Sequence, residues 1–296
     1  MPRIINVPKM VQRTVSSGSS KPHNIKPTLE TKPDVIDIST KPKDKTSDLM
    51  DLFDLAMTSL GLVVGVKKLL ELPPIKPDMT LFDINEHFKD IFLNDNISLG
   101  ETKVMINRYS DIEQIEDDEE YMKELFREAR ANYGLEDTIC ELKLVDEISK
   151  NPNFKTEGFT DPLGNVTISM KGRTREQLFN TVHHELRHVK QHIYAFNYAP
   201  ETYVKYSQPN NMELPKECFE YFFGCKASQN NIPKSQHKFA KKCVEGVKGY
   251  KAASKGVNDY SVQFVEKDAY SAGNRMSAIM EIAKNTTYLV LEPANS

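Results

Sequence analysis

The 296-residue chain has no tryptophan and only four cysteines, Cys140, Cys218, Cys225 and Cys243. None stands in a Cys-x-x-Cys pair, which excludes a Cys-rich zinc site and a disulfide framework. They read as ordinary buried thiols, consistent with folding in a reducing compartment, with a single bridge as the alternative. A large excess of one charge is also missing. Lys and Arg number 39 against 42 Asp and Glu, a net charge of −3. No global field therefore draws the chain to nucleic acid or a membrane surface. Long apolar runs are absent too. The uncharged stretch Leu55–Val66 covers 12 residues, whereas a helical span needs about 20. The start, MPRIINVPKM, lacks the apolar region of a secretory signal. The chain is thus expected either to be secreted or injected by a route that reads no such signal, or to be cytoplasmic. There is no internal repeat, no phosphate-binding glycine loop and no nucleophile elbow.

Composition divides what is present into three parts. Residues 1–47 are rich in Pro, Ser, Thr and Lys, with Lys-Pro at 21–22, 26–27, 32–33 and 41–42. Such a segment cannot bury enough apolar surface to offset chain entropy and reads as a disordered leader. Residues 48–135 read as a helical region. Its helices are expected at Asp48–Leu72, as a buried or partner-docking element, at Leu81–Leu93 and at Asp111–Tyr133. The acids Glu116 to Glu120 suit a solvated helix N-terminus. A calcium loop is the weaker reading, because the 12-residue ligand loop with its central glycine is missing. Residues 136–296 begin with a period of two. A strand is expected around Ile139, Leu142 and Leu144. Phe159-Thr160, the turn Asp161–Gly164 and Asn165–Met170 read as a hairpin. Val166–Met170 would offer an exposed edge to an extended peptide, or be purely structural. Helices are expected at Thr174–Asn197, Glu213–Ala227, Lys234–Ala253 and Asp259–Ala283, with a closing strand at Thr286–Glu292.

The chemistry lies in Thr174–Tyr194, which contains His184-Glu185-Leu186-Arg187-His188. On a helix, four residues advance about 400°, so the two imidazoles share a face roughly 6 Å apart along the axis. Two His at that register grip one Zn²⁺, and the intervening carboxylate addresses the ion's open position. The helix has its own support. Thr174 and Gln177 form a capping box. Leu178, Val182, Leu186 and Val189 make an apolar stripe.

A catalytic zinc site normally has three protein ligands and a water. His192 continues the stripe but sits about 12 Å beyond His184 along the axis, so it reads as a rim residue. His183 points about 100° away and reads as packing. Glu266, in a second helix, is the candidate third ligand; Asp268, Glu217 and Glu220 are the alternatives. Tyr270, one turn after Glu266, is the candidate donor to a tetrahedral oxyanion, with Tyr260 and Arg187 behind it.

The run from His184 to Gln191 resembles the H-E-L-x-H-V-x-Q motif of zincin metallopeptidase domains found in bacterial polymorphic toxins. Glu266-Lys267-Asp268-Ala269 is similar to the E-x-E/D-A element that supplies the Glu ligand in many gluzincin-like families, although Tyr270 stands where those families often carry Asp. The resemblance covers about Thr138 to Ala283. It implies an α+β fold: a mostly helical, zincin-like metallopeptidase domain with a small β-sheet, here preceded by the disordered segment. The segment itself resembles, in composition only, leaders of cargo effectors loaded into contractile injection systems, so residues 1–47 would engage a secretion or injection apparatus.

The expected function is a zinc-dependent endopeptidase, of effector or toxin type, acting on a protein or peptide. His184, His188 and Glu266 would hold Zn²⁺, Glu185 would activate the water, and Tyr270 would stabilise the oxyanion. Two alternatives remain: a non-enzymatic structural or cargo protein braced by zinc, and a zinc amidase acting on a non-protein amide.

Overall fold

The computed structural model describes residues 74–148, 156–208, 213–250 and 263–285. The expected leader 1–47, the helix 48–72, Tyr260 and the strand 286–292 lie outside the described residues. Among the described residues there are eight α-helices and one three-stranded sheet. The chain is thus mostly helical with a small sheet, as expected.

Three helices come first. α1 (Leu81–Phe92) and α2 (Leu99–Ile112) each begin at a capping box, Thr80 with Asp83 and Ser98 with Glu101. In both, a hydroxyl and a carboxylate satisfy backbone N–H groups that have no intrahelical acceptor. α3 (Asp118–Asn132) starts at the N-cap Asp117, which accepts from the Glu120 N–H at 2.8 Å. The acids 118–120 lie in its first turn, where the helix dipole favours them.

The single helix expected over Asp111–Tyr133 is a correction. α2 ends at Ile112, and residues 113–117 turn before α3 starts. The reason is local: the Asp117 side chain caps a new N-terminus instead of riding inside a helix. α2 itself lay beneath an unread signal, the Ser98-x-x-Glu101 box.

The sheet has the order β1-β3-β2. β1 (Leu142–Val145) runs parallel to β3 (Val166–Ser169), and β2 (Gly158–Thr160) pairs antiparallel with it. The hairpin between β2 and β3 turns on Asp161, whose carboxylate accepts from the Leu163 and Asn165 N–H groups. Gly164 takes φ +89°, which a side chain would resist. β3 is therefore the central strand, not the exposed edge expected of Val166–Met170. That edge is β2.

α4 (Arg175–Tyr198) carries the motif. At 24 residues it is about 36 Å long. The Thr174–Gln177 capping box opens it as expected. α5 (Pro200–Tyr206), α6 (Lys216–Phe222) and α7 (His237–Gly249) follow. α6 is shorter than the expected 213–227, because Gly224 adopts φ +63° just after it. α7 is preceded by a 3-10 turn at Lys234–Gln236. α8 (Phe264–Asn285) closes the described residues.

One apolar core takes residues from α1, α2, α3, the sheet, α4 and α8, so packing is continuous across position 135. A second cluster, built on Phe196, Tyr203, Phe219 and Phe223, joins the C-terminal end of α4 to α5, α6 and α7. α4 is the element common to both. Its close approach to α8 depends on Gly273. A Cβ there would lie 2.8 Å from the Asn180 carbonyl oxygen of α4. The glycine inside α8 thus has a packing reason.

Candidate metal centre

α4 places His184 and His188 one turn apart on the face turned to α8, and α8 brings Glu266 against them. The two Nε2 atoms lie 3.0 Å apart. Glu266 Oε2 is 3.4 Å from His188 Nε2 and 3.7 Å from His184 Nε2. One ligand atom from each residue falls within 4.8 Å of the others. Glu266 is 1% exposed, His184 7%. Two imidazoles and a buried carboxylate converging in this way could hold a metal ion. Among the described residues, this is the one such group of three or more.

The electrostatics suit a cation. Burial pushes the His184 imidazole down to about 3, with the neighbouring His188 adding to the effect. Burial would depress His188 as well, but the Glu266 charge and hydrogen bond outweigh it and raise the group to about 9. A protonated His188 carries N–H on both ring nitrogens, so its Nε2 must lose a proton before it can serve as a ligand. A divalent ion in the same place would meet the Glu266 charge instead of that proton.

Glu185 is held by contacts with β2. Thr160 of β2 donates its hydroxyl to Glu185 Oε2 at 2.7 Å. Gly158, also on β2, lies so close that an added Cβ would overlap Glu185 Oε1 and come within 2.6 Å of Thr181 Cγ2. The absence of a side chain at 158 thus makes the room for this carboxylate. Arg173 fastens β2 to α4, donating to the Glu157 carbonyl and to Thr181 Oγ1.

Two tyrosines flank the ligands. The Tyr270 ring lies 4.4 Å from the His184 ring, centroid to centroid. Burial, followed by the charges of Glu266, Glu185 and Glu157, holds its phenol well above the usual range, so it stays a proton donor. Tyr250, at the end of α7, donates to Glu266 Oε1 at 3.3 Å. Position 250 carried no sequence signal, because only the fold brings α7 to α8.

The remaining candidates separate cleanly. His183 is buried among Tyr109, Phe179, Phe92 and Tyr133, as its packing role required. His192 bonds through Nδ1 to the Tyr203 hydroxyl at 3.0 Å, which in turn donates to the Pro162 carbonyl. Asp268, an alternative third ligand, instead forms a two-pronged pair with Arg187, at 2.6 and 2.8 Å. Arg187 is 1% exposed and also donates to the Asp90 and Ile91 carbonyls. It is therefore spoken for and cannot serve as the oxyanion donor, which corrects that expectation. Glu217 and Glu220 lie on α6; the Glu220 carboxylate accepts from the Ala227 N–H. All four cysteines are free. Among the described residues no helix is long and apolar enough to cross a membrane.

No protein-family model, curated protein or solved structure matches the chain.

Proposed function

We propose that the chain is a zinc-dependent endopeptidase. The observation that carries this reading is the convergence of His184, His188 and Glu266 within 4.8 Å, with Glu185 between the two imidazoles in sequence. A Zn²⁺ ion held by these three side chains would supply a Lewis acid and an acidified water at neutral pH. Three donors rather than four converge among the described residues, which favours an open coordination position over a closed bracing site.

The chain's own groups then divide the labour. Glu185, oriented by Thr160, accepts the proton of the attacking water and returns it to the leaving amine. Tyr270, kept protonated by burial and by its acidic surroundings, donates to the developing oxyanion. β2 stands at the sheet edge beside Glu185, where an extended peptide finds backbone partners. That edge favours a peptide over a non-protein amide. The effector role rests on the motif resemblance and on residues 1–47.

The test is Glu185→Gln with casein as a general substrate. The variant is expected to keep its zinc and lose about 10²–10⁴-fold in kcat/KM. Undiminished cleavage by the variant removes Glu185 from this role.

A further inference from the structure

From the half-buried His188 a chain of three buried polar groups, Gln191, Asp268 and Arg187, runs back behind the metal ligands. Gln191 and Asp268 are 3% and 2% exposed. His188 Nδ1 lies 2.9 Å from Gln191 Oε1. The amide nitrogen of Gln191 donates to Asp268 Oδ2 at 2.8 Å and to the Val265 carbonyl at 2.9 Å. Arg187 then engages both oxygens of Asp268.

The logic of this chain runs in one direction. A carboxylate and a backbone carbonyl are acceptors only, so both face the NH₂ end of the Gln191 amide. That settles which way the amide points, and its oxygen must turn toward His188. An oxygen can only accept, so His188 must carry its hydrogen on Nδ1. In the neutral ring, the form that can bind a metal, the Nε2 lone pair then faces His184 and Glu266. Arg187 completes the arrangement. Its fork pairs with Asp268, so the carboxylate remains charged and an acceptor in a buried place.

We propose that Asp268, set by Arg187, is a positioning residue that locks the tautomer of His188 through Gln191, so that Nε2 is committed to the metal. The proposal rests on the metal-centre reading above and adds three positions, Gln191, Asp268 and Arg187, that this reading does not use. It gives Arg187, between Glu185 and His188 in the motif, a defined task. It also explains why Asp268, two residues after Glu266, is not itself a ligand. Ring orientation set from behind is worth about 10–100-fold in metal affinity.

The experiment uses the full chain and zinc alone. Zinc affinity is measured by chelator competition, and the His188 tautomer by ¹⁵N NMR of the imidazole, in zinc-loaded protein and in metal-free protein at alkaline pH. Gln191→Leu keeps the Arg187–Asp268 pair and cuts the relay. It is expected to weaken zinc about 10–100-fold and to leave neutral His188 as a mixture of tautomers. Asp268→Asn leaves Arg187 without its counter-charge and is open to misfolding. The double variant Arg187→Met with Asp268→Leu replaces the pair by apolar groups, which buried pairs often tolerate. It is expected to fold, to lose zinc affinity by a similar factor, and to lose little more when Gln191→Leu is added. Wild-type tautomer and affinity within twofold in the double variant overturn the proposal. If the wild type takes up no zinc, the metal reading fails, and the alkaline NMR still decides the lock. If it binds zinc but cleaves nothing, only the peptidase reading fails.

Discussion

His183 and His184 are neighbours in sequence and opposites in surroundings. His183 faces α1, α2 and α3, and its ring packs against Tyr109 and Phe179 at 5.5 and 4.8 Å. Neither of its ring nitrogens has a hydrogen-bond partner among the described residues. His184 faces α8 and shares a centre with His188 and Glu266. Burial lowers both imidazoles to about 3. The difference lies in what surrounds each ring. One face of α4 meets aromatic rings, the other meets a carboxylate. One residue of helical register, about 100°, separates a packing group from a ligand.

Substitutions at the two positions should therefore have unlike effects. The largest is expected at the polar face. Glu266→Ala or His184→Ala should cost zinc affinity by more than the roughly 100-fold typical of outer partners, read by metal content after dialysis. Next comes Gly158→Ala, which forces the Glu185 carboxylate aside. A displacement of this kind costs about 100-fold in kcat/KM, with zinc content unchanged. Retained activity would show that β2 does not confine Glu185.

Acidity sharpens the contrast further. His188 holds its proton up to about 9, and a ligand must shed it. Zinc affinity should thus rise with pH, up to about tenfold per unit, and level off above that point. The acid limb of the metal-free chain's stability runs on the other histidines. His183, His184 and His192 are all lowered to about 3. The unfolded chain binds more protons than the folded one between about 6.5 and 3, so stability falls as pH drops through that window. Urea titrations at several pH values read the slope. The smallest effect is His183→Leu. Removing a buried ring without hydrogen bonds should raise stability at pH 7 by about 1 kcal/mol, flatten the acid slope and leave zinc affinity unchanged.

The sequence made the polar face of α4 readable because its grammar is local. A capping box, an apolar stripe and the His184–Glu185–His188 spacing all lie within one helix. The turn at Asp161–Gly164 and the acids before α3 were local in the same sense. What escaped reading depends on distant chain segments. Gly158 and Thr160 matter only because β2 lies against α4. Tyr250 reaches Glu266 only because α7 packs near α8. Arg187 looked available until Asp268 was seen beside it, 81 positions away. The order of the strands is not legible for a related reason: alternation reveals which side of a strand faces the core, but not which strand lies in the middle. Some misses were local: the Ser98–Glu101 box that starts α2, the Gly224 that ends α6, and the break before α3, where Asp117 is an N-cap concealed by the run of acids.

The central claim is that one metal ion binds to two histidines and a glutamate. X-ray absorption at the zinc edge, on the full chain loaded with one equivalent of zinc, tests it directly. The account predicts a single tightly held ion with two imidazole nitrogens and the rest oxygen, altered when Glu266 is replaced by Ala. A shell containing sulfur, a site closed by four protein ligands, or a spectrum untouched by that replacement would contradict it.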